Sequence, residues 1–149
     1  MTRMVHDVVV RGCPEQVFAY VIDATRWHEW HPSSTSARGP AAPRVGDRFH
    51  EAVKAGPIVG EITWRVLDCD APRRFSIVGE VSAPFMKGTE VTITYELSPA
   101  ATGTHFRREL DYQPRRRRAR LADRLFFRWH NRRQSVVALD RLMQQFSSR

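Results

Sequence analysis

Three charged side chains stand where their neighbours are apolar. Glu51 falls between Phe49 and Val53 in an alternating run, and Arg108 between Phe106 and Leu110. Arg132 lies at helical spacing in one row with Leu121, Leu125, Trp129 and Val136. An unpaired charge taken out of water costs several kcal/mol, so each needs a partner or water. Two guanidinium groups and a carboxylate could hold the polar end of an apolar molecule, such as a carboxylate or an enol. The plainer alternative is that they pair with one another, or that a register shifted by one residue turns a charge to solvent. Glu51, Arg108 and His31 are the candidates for acid–base work if the chain is an enzyme, although no residue type at a fixed position identifies catalysis.

Other chemistries find little support. His28 and His31 stand at metal-ligand spacing, but no third ligand accompanies them and His6, His50, His105 and His130 are scattered, so no metal is expected. No glycine-rich phosphate loop and no nucleophile elbow occurs, and no cofactor is expected. Cys13 and Cys69 exclude a disulfide scaffold and read as small buried apolar residues. No apolar run approaches the roughly 18 residues of a membrane span, and the opening residues lack a signal peptide's apolar core, so the reading is a cytoplasmic chain. At 149 residues with 42% hydrophobic and 27% charged side chains, one domain with a sizeable core is expected over residues 1–149.

These residues sit on elements whose period changes along the chain. A strand is expected over residues 3–11, a helix over 14–22 opened by Pro14, and a short helical piece over 23–30 ended by His31-Pro32. Residues 31–43, rich in Ser, Ala, Pro and Gly, read as a loop. Strict alternation then marks five strands between Val45 and Tyr112 with short turns, an antiparallel meander. Its apolar face is Phe49, Ile62, Trp64, Phe75, Ile77, Ile93, Tyr95, Leu110 and Tyr112. After Pro114, Leu121, Leu125, Trp129, Val136, Leu139, Met143 and Phe146 recur at helical spacing, predicting a helix over 115–146, about 48 Å long, with this stripe on the sheet and Phe127 facing away.

The order of strand, two short helices, meander and long helix resembles the START/Bet v 1-like (SRPBCC) superfamily, in its polyketide cyclase/dehydrase-like branch. The resemblance rests on Val8-Val9-Val10 before Cys13-Pro14-Glu15-Gln16-Val17-Phe18, then Asp23 and Trp27-His28-Glu29-Trp30-His31-Pro32. It continues through Val45-Gly46-Asp47-Arg48-Phe49, Gly103-Thr104 and Leu139-Asp140-Arg141-Leu142, nearly the whole chain. It implies an α+β helix-grip fold, a curved antiparallel sheet wrapped around the long C-terminal helix with a cavity between them. The cavity is expected to hold a lipid-like or polyketide-like hydrophobic molecule and to be lined by Trp27, Trp30, Phe49, Glu51, Trp64, Phe75, Tyr95, Arg108, Tyr112, Trp129 and Arg132. Trp27 and Trp30 would clamp a flat apolar ligand at the mouth, or simply pack the short helix on the sheet rim. A polyketide cyclase or dehydratase acting in the same cavity is the alternative, because this fold hosts carriers, enzymes and receptors alike.

Charge adds a third class of function. Residues 1–102 hold 11 basic and 12 acidic side chains, whereas residues 103–149 hold 13 arginines and four acids, a net +9. Arg115, Arg116, Arg117, Arg118 and Arg120 form a basic surface that would suit the ribosome, nucleic acid or an anionic membrane. No aromatic platform for bases stands beside the run. The simplest account is a solvated helix face, and both monomer and homodimer remain open.

Overall fold

The computed structural model describes residues 1–147. Seven strands form one antiparallel sheet in the order β1-β7-β6-β5-β4-β3-β2. They are β1 (Thr2–Val10), β2 (Ser34–Arg38), β3 (Arg48–Ala55), β4 (Ile58–Asp70), β5 (Arg74–Ser82), β6 (Glu90–Ala100) and β7 (Gly103–Gln113). Helix α1 (Pro14–Val21) and a 3₁₀ helix (Ala24–Glu29) fill the connection after β1. Pro14 opens α1 where no backbone donor is needed. The Asp23 carboxylate caps the 3₁₀ helix by accepting from the Thr25 backbone N–H at 3.1 Å and its hydroxyl at 2.6 Å.

The C-terminal helix runs over 117–147, 31 residues long. It consists of α2 (Arg117–Ala122), a π-helical turn (Asp123–Phe127) and α3 (Arg128–Ser147). The curled sheet grips this helix, giving the α+β helix-grip architecture that the element order implies. The cross-strand pairs Phe49–Trp64, Ile77–Ile93 and Ile93–Leu110 confirm the alternation of the meander. The sequence-derived loop 31–43 is corrected: Ser34–Arg38 is an edge strand paired with β3.

The inward face of the long helix is also corrected. Leu121, Leu125, Trp129 and Val136 are exposed, whereas Ala119, Asp123, Phe127, Ser135, Ala138, Leu139, Leu142 and Phe146 are buried. Of the expected stripe only Leu139 and Phe146 are buried and Met143 partly so, and Phe127 faces in rather than out. The buried set begins with a strict four-residue repeat (119, 123, 127), which drifts around a helix of 3.6 residues per turn. The π turn at 123–127 takes up that drift.

Aromatic side chains fill the space between the sheet and the 3₁₀ segment. Trp27 meets Phe49 and Trp64 edge-on, and Trp30 contacts Tyr95 and Phe106. The Trp27 indole N–H donates to the Val21 carbonyl at 2.8 Å. Gly79 stands opposite Trp64 in the ladder; a Cβ there would lie 2.7 Å from both the Trp64 ring and Ile62 Cγ2. Cys13 is exposed and Cys69 half-buried, so neither is the core residue expected of it.

Candidate functional site

A cavity of about 150 Å³ lies between the sheet and the long helix. Its sheet wall carries Glu51 of β3, Ile62 and Trp64 of β4, Ile93 and Tyr95 of β6, and Arg108, Leu110 and Tyr112 of β7. The segment 27–33 contributes Trp27, Trp30, His31 and Ser33. The helix contributes Phe127, Asn131, Gln134 and Ser135. Ala55 and Ile58, beside the β3–β4 turn, and Ala83 and Met86, between β5 and β6, line one end. A dry cavity of this volume takes a molecule the size of benzene, so a larger ligand must displace side chains or protrude.

Of the sequence-derived cavity residues, Trp27, Trp30, Glu51, Trp64, Tyr95, Arg108 and Tyr112 line this space, and so does His31. Phe49 and Phe75 are buried on the same inward face but do not line the cavity, packing on Trp27 and Phe18 respectively. Trp129 and Arg132 are corrections: both are exposed on the outer face of the helix, because its phase is not the one the apolar stripe suggested. Sequence reasoning missed Asn131, Gln134 and Ser135. Asn131 and Ser135 continue the four-residue row Ala119, Asp123 and Phe127, which is small or polar at every place but Phe127, and Gln134 stands beside it.

Arg108 is 4% exposed and opposite Tyr95 in the β6–β7 ladder. It donates to the Ser135 hydroxyl at 3.0 Å through Nη1, while Nη2 lies 3.3 Å from His31 Nε2 and Nε has no partner. Among the described residues no carboxylate forms an ion pair with it. The cavity therefore holds a guanidinium with spare donor capacity and no carboxylate in direct contact.

Glu51 is also buried, and its carboxylate accepts the Trp64 indole N–H at 3.0 Å. Burial pushes its pKa up to about 7; the neighbouring Ser34 hydroxyl, the Trp64 N–H and the charge of Arg108 only partly offset this. Burial also pushes the Tyr95 phenol up to about 12.

His31 is held neutral. Burial first, and then the positive charge of Arg108, lower its pKa well below the usual imidazole range. Its Nδ1 lies 3.2 Å from the Ser33 backbone nitrogen. A neutral imidazole has one acceptor nitrogen, so it takes either the Ser33 backbone N–H at Nδ1 or an Arg108 N–H at Nε2, and the other donor is left free. Trp30 Nε1 and Gln134 Oε1, on other residues of the lining, are buried without partners as well.

At the far end of the helix contact, the Tyr112 hydroxyl donates to the Asp123 carboxylate. Asp123, itself buried, also accepts from Thr2 at 3.0 Å and from Arg128 at 3.2 Å. This cluster ties β1 and β7 to the π turn and fixes which helix face looks into the cavity. Arg115, Arg116, Arg117, Arg118 and Arg120 are exposed at the start of the helix. No cluster of three or more metal-ligating side chains occurs among the described residues.

A curled antiparallel sheet closed by a long helix over an internal, mostly apolar cavity defines the helix-grip class of proteins. Within it, the chain belongs to the polyketide cyclase/dehydrase and lipid transport family, whose profile matches residues 1–146. The fold is similar to that of the ZhuI aromatase/cyclase of a Streptomyces species, at 14% identity, 98% of this chain and 93% of that one, with a TM-score of 0.79. It is similar to a conserved protein of Geobacillus kaustophilus (10% identity, 99% and 96% coverage, TM-score 0.78) and to a protein of Mesorhizobium loti (21%, 96% and 95%, 0.70). No curated protein matches the chain.

Proposed function

We propose that this protein binds a small hydrophobic molecule carrying a carbonyl, enolate or carboxylate oxygen, with the oxygen at Arg108 and the apolar body against Trp27, Trp30, Trp64 and Ile93. The observation that carries this reading is the buried Arg108 guanidinium, which has an unpartnered Nε and no carboxylate partner. The family's association with polyketide cyclisation and lipid transport supports the same ligand class. The cavity volume favours a ligand of one ring, or a larger one bound by its end. Native against denatured mass spectrometry of the purified protein reads any retained ligand. With 2-naphthoic acid and its methyl ester as probes, the acid should bind more tightly. Arg108→Gln should erase that preference, worth about ten- to a hundredfold for a charge-assisted contact. Equal binding of acid and ester by the parent protein would refute the placement at Arg108.

A second reading, cyclase or dehydratase, is favoured by one observation: Glu51 is a buried carboxyl in the same cavity with a pKa of about 7. Such a group serves as base and then as acid near neutral pH. On a β-ketone chain, the ionised carboxylate takes an α proton while Arg108 holds the carbonyl oxygen as the enolate forms. The enolate carbon attacks a second carbonyl of the chain, forming the ring bond and an alkoxide that takes the proton back from Glu51. The regenerated carboxylate then removes a second α proton and returns it to the departing hydroxyl, which leaves as water. Glu51→Gln should keep ligand binding and abolish turnover; turnover that survives it sinks this reading and leaves the binding one intact.

A further inference from the structure

Leu121, Leu125, Trp129 and Val136 are 58%, 75%, 58% and 55% exposed. They recur at four, four and seven residues and so form one stripe along the outer face of the long helix. Cations flank it. Residues 115–139 contain nine arginines and one acid, Asp123, which is buried against Tyr112 and Arg128. Arg116, Arg117, Arg118, Arg124 and Arg132 make no ion pair among the described residues, and Arg133 lies over the Trp129 ring at 5.5 Å. The tip of the β3–β4 hairpin adjoins this face: a Cβ on Gly56 would sit 3.8 Å from the Phe126 ring, and Val59 on the same hairpin is exposed.

A contiguous apolar stripe on a surface calls for a partner. A second copy fits poorly, because a two-fold contact would set this arginine-flanked face against itself with no free acid to neutralise it. Nucleic acid would use the arginines but leave the Leu and Val side chains in water. An anionic bilayer satisfies both sets: Trp and Leu enter the headgroup–acyl boundary while flanking arginines meet lipid phosphates. We propose that the outer face of the long helix docks on an anionic lipid bilayer. The helix lies in the headgroup plane, with Leu121, Leu125 and Trp129 inserted. This docking is independent of what the cavity holds.

Co-sedimentation tests it, with vesicles of phosphatidylcholine alone and of phosphatidylcholine with about one third phosphatidylglycerol. The protein should bind the mixed vesicles at low salt, release at high salt and ignore the neutral ones. Trp27, Trp30 and Trp64 are buried, so a blue shift of emission on binding reports Trp129, and Trp129→Phe should abolish it. Replacing Arg117, Arg118 and Arg124 by Ser should weaken partitioning about fivefold each, on the order of a hundredfold together. These exposed positions leave the core untouched, so the folded variants can be compared directly. Three results would each overturn the proposal: no co-sedimentation of the parent protein with the anionic vesicles; a dimer in sedimentation equilibrium that Trp129→Ser dissolves; or salt-reversible binding to RNA with none to vesicles.

Discussion

Replacing Glu51 by Gln should stabilise the protein above neutral pH and do little below pH 4.5. The carboxyl has an ordinary pKa near 4.5 and is raised to about 7 in the fold, chiefly by burial. Its folded value lies above its unfolded value, so the native state holds this proton more tightly. Stability is full below pH 4.5, falls as pH rises through the window from 4.5 to 7, and stays at the lower level above it. At roughly 1.4 kcal/mol for each tenfold change in proton affinity, the ionised carboxylate destabilises the native state by about 3 kcal/mol. Gln keeps an oxygen for the Trp64 indole N–H, and its amide can donate to the neighbouring Ser34 hydroxyl. Urea unfolding of both proteins at pH 4 and pH 8, taken as the difference between them, cancels the other carboxylates. The difference should move by about 3 kcal/mol in favour of Gln between the two pH values, on the order of 10 °C in Tm at pH 8. A difference that does not change with pH would refute the burial of this carboxyl, and with it the acid–base role assigned to it.

Further outcomes follow from the helix and its contacts. Leu142→Ala should cost about 2–5 kcal/mol and Leu125→Ala less than about 0.5 in chemical denaturation, because only the first is buried; the reverse order would restore the apolar stripe to the core. Asp123→Ala leaves the buried Thr2 and Tyr112 hydroxyls without their acceptor, and should lower stability by roughly 2–4 kcal/mol in the same assay. Gly79→Ala places a methyl group against the Trp64 ring, so near-ultraviolet circular dichroism should change along with a loss of about 1–3 kcal/mol.

The fold was legible where burial is one-sided. In Val91-Thr92-Ile93-Thr94-Tyr95 the period of two reports a sheet with one apolar face, and the ladder follows it. Glu51 and Arg108 stood out for the same reason, since a charge on an otherwise apolar face breaks the period. The strand Ser34–Arg38 was illegible because it is an edge strand of small and polar residues with little apolar alternation to read. His31 was legible as a titratable group, but its contact with Arg108 spans 77 positions of sequence. Only the curl of the sheet brings the two together.

The long helix misled the sequence reading for a physical reason that bears on function. An apolar stripe predicts the buried face when the space beneath it is solid core. Here the space beneath the middle of the helix is a cavity containing Arg108, and a guanidinium there needs hydroxyl and amide partners more than it needs leucines. Ser135 supplies one directly, and Asn131 and Gln134 line the same wall. Solid core returns only past the cavity, at Ala138, Leu139, Leu142 and Phe146, where the buried face becomes apolar again. The polar inner face and the apolar outer face thus arise from one choice of helix phase, which Asp123 fixes through Tyr112, Thr2 and Arg128. Turning the helix to bury Leu125 and Trp129 would break that cluster and strip Arg108 of Ser135. The protein therefore presents the apolar stripe Leu121, Leu125, Trp129 and Val136 to whatever lies outside it as a direct consequence of keeping a polar site within.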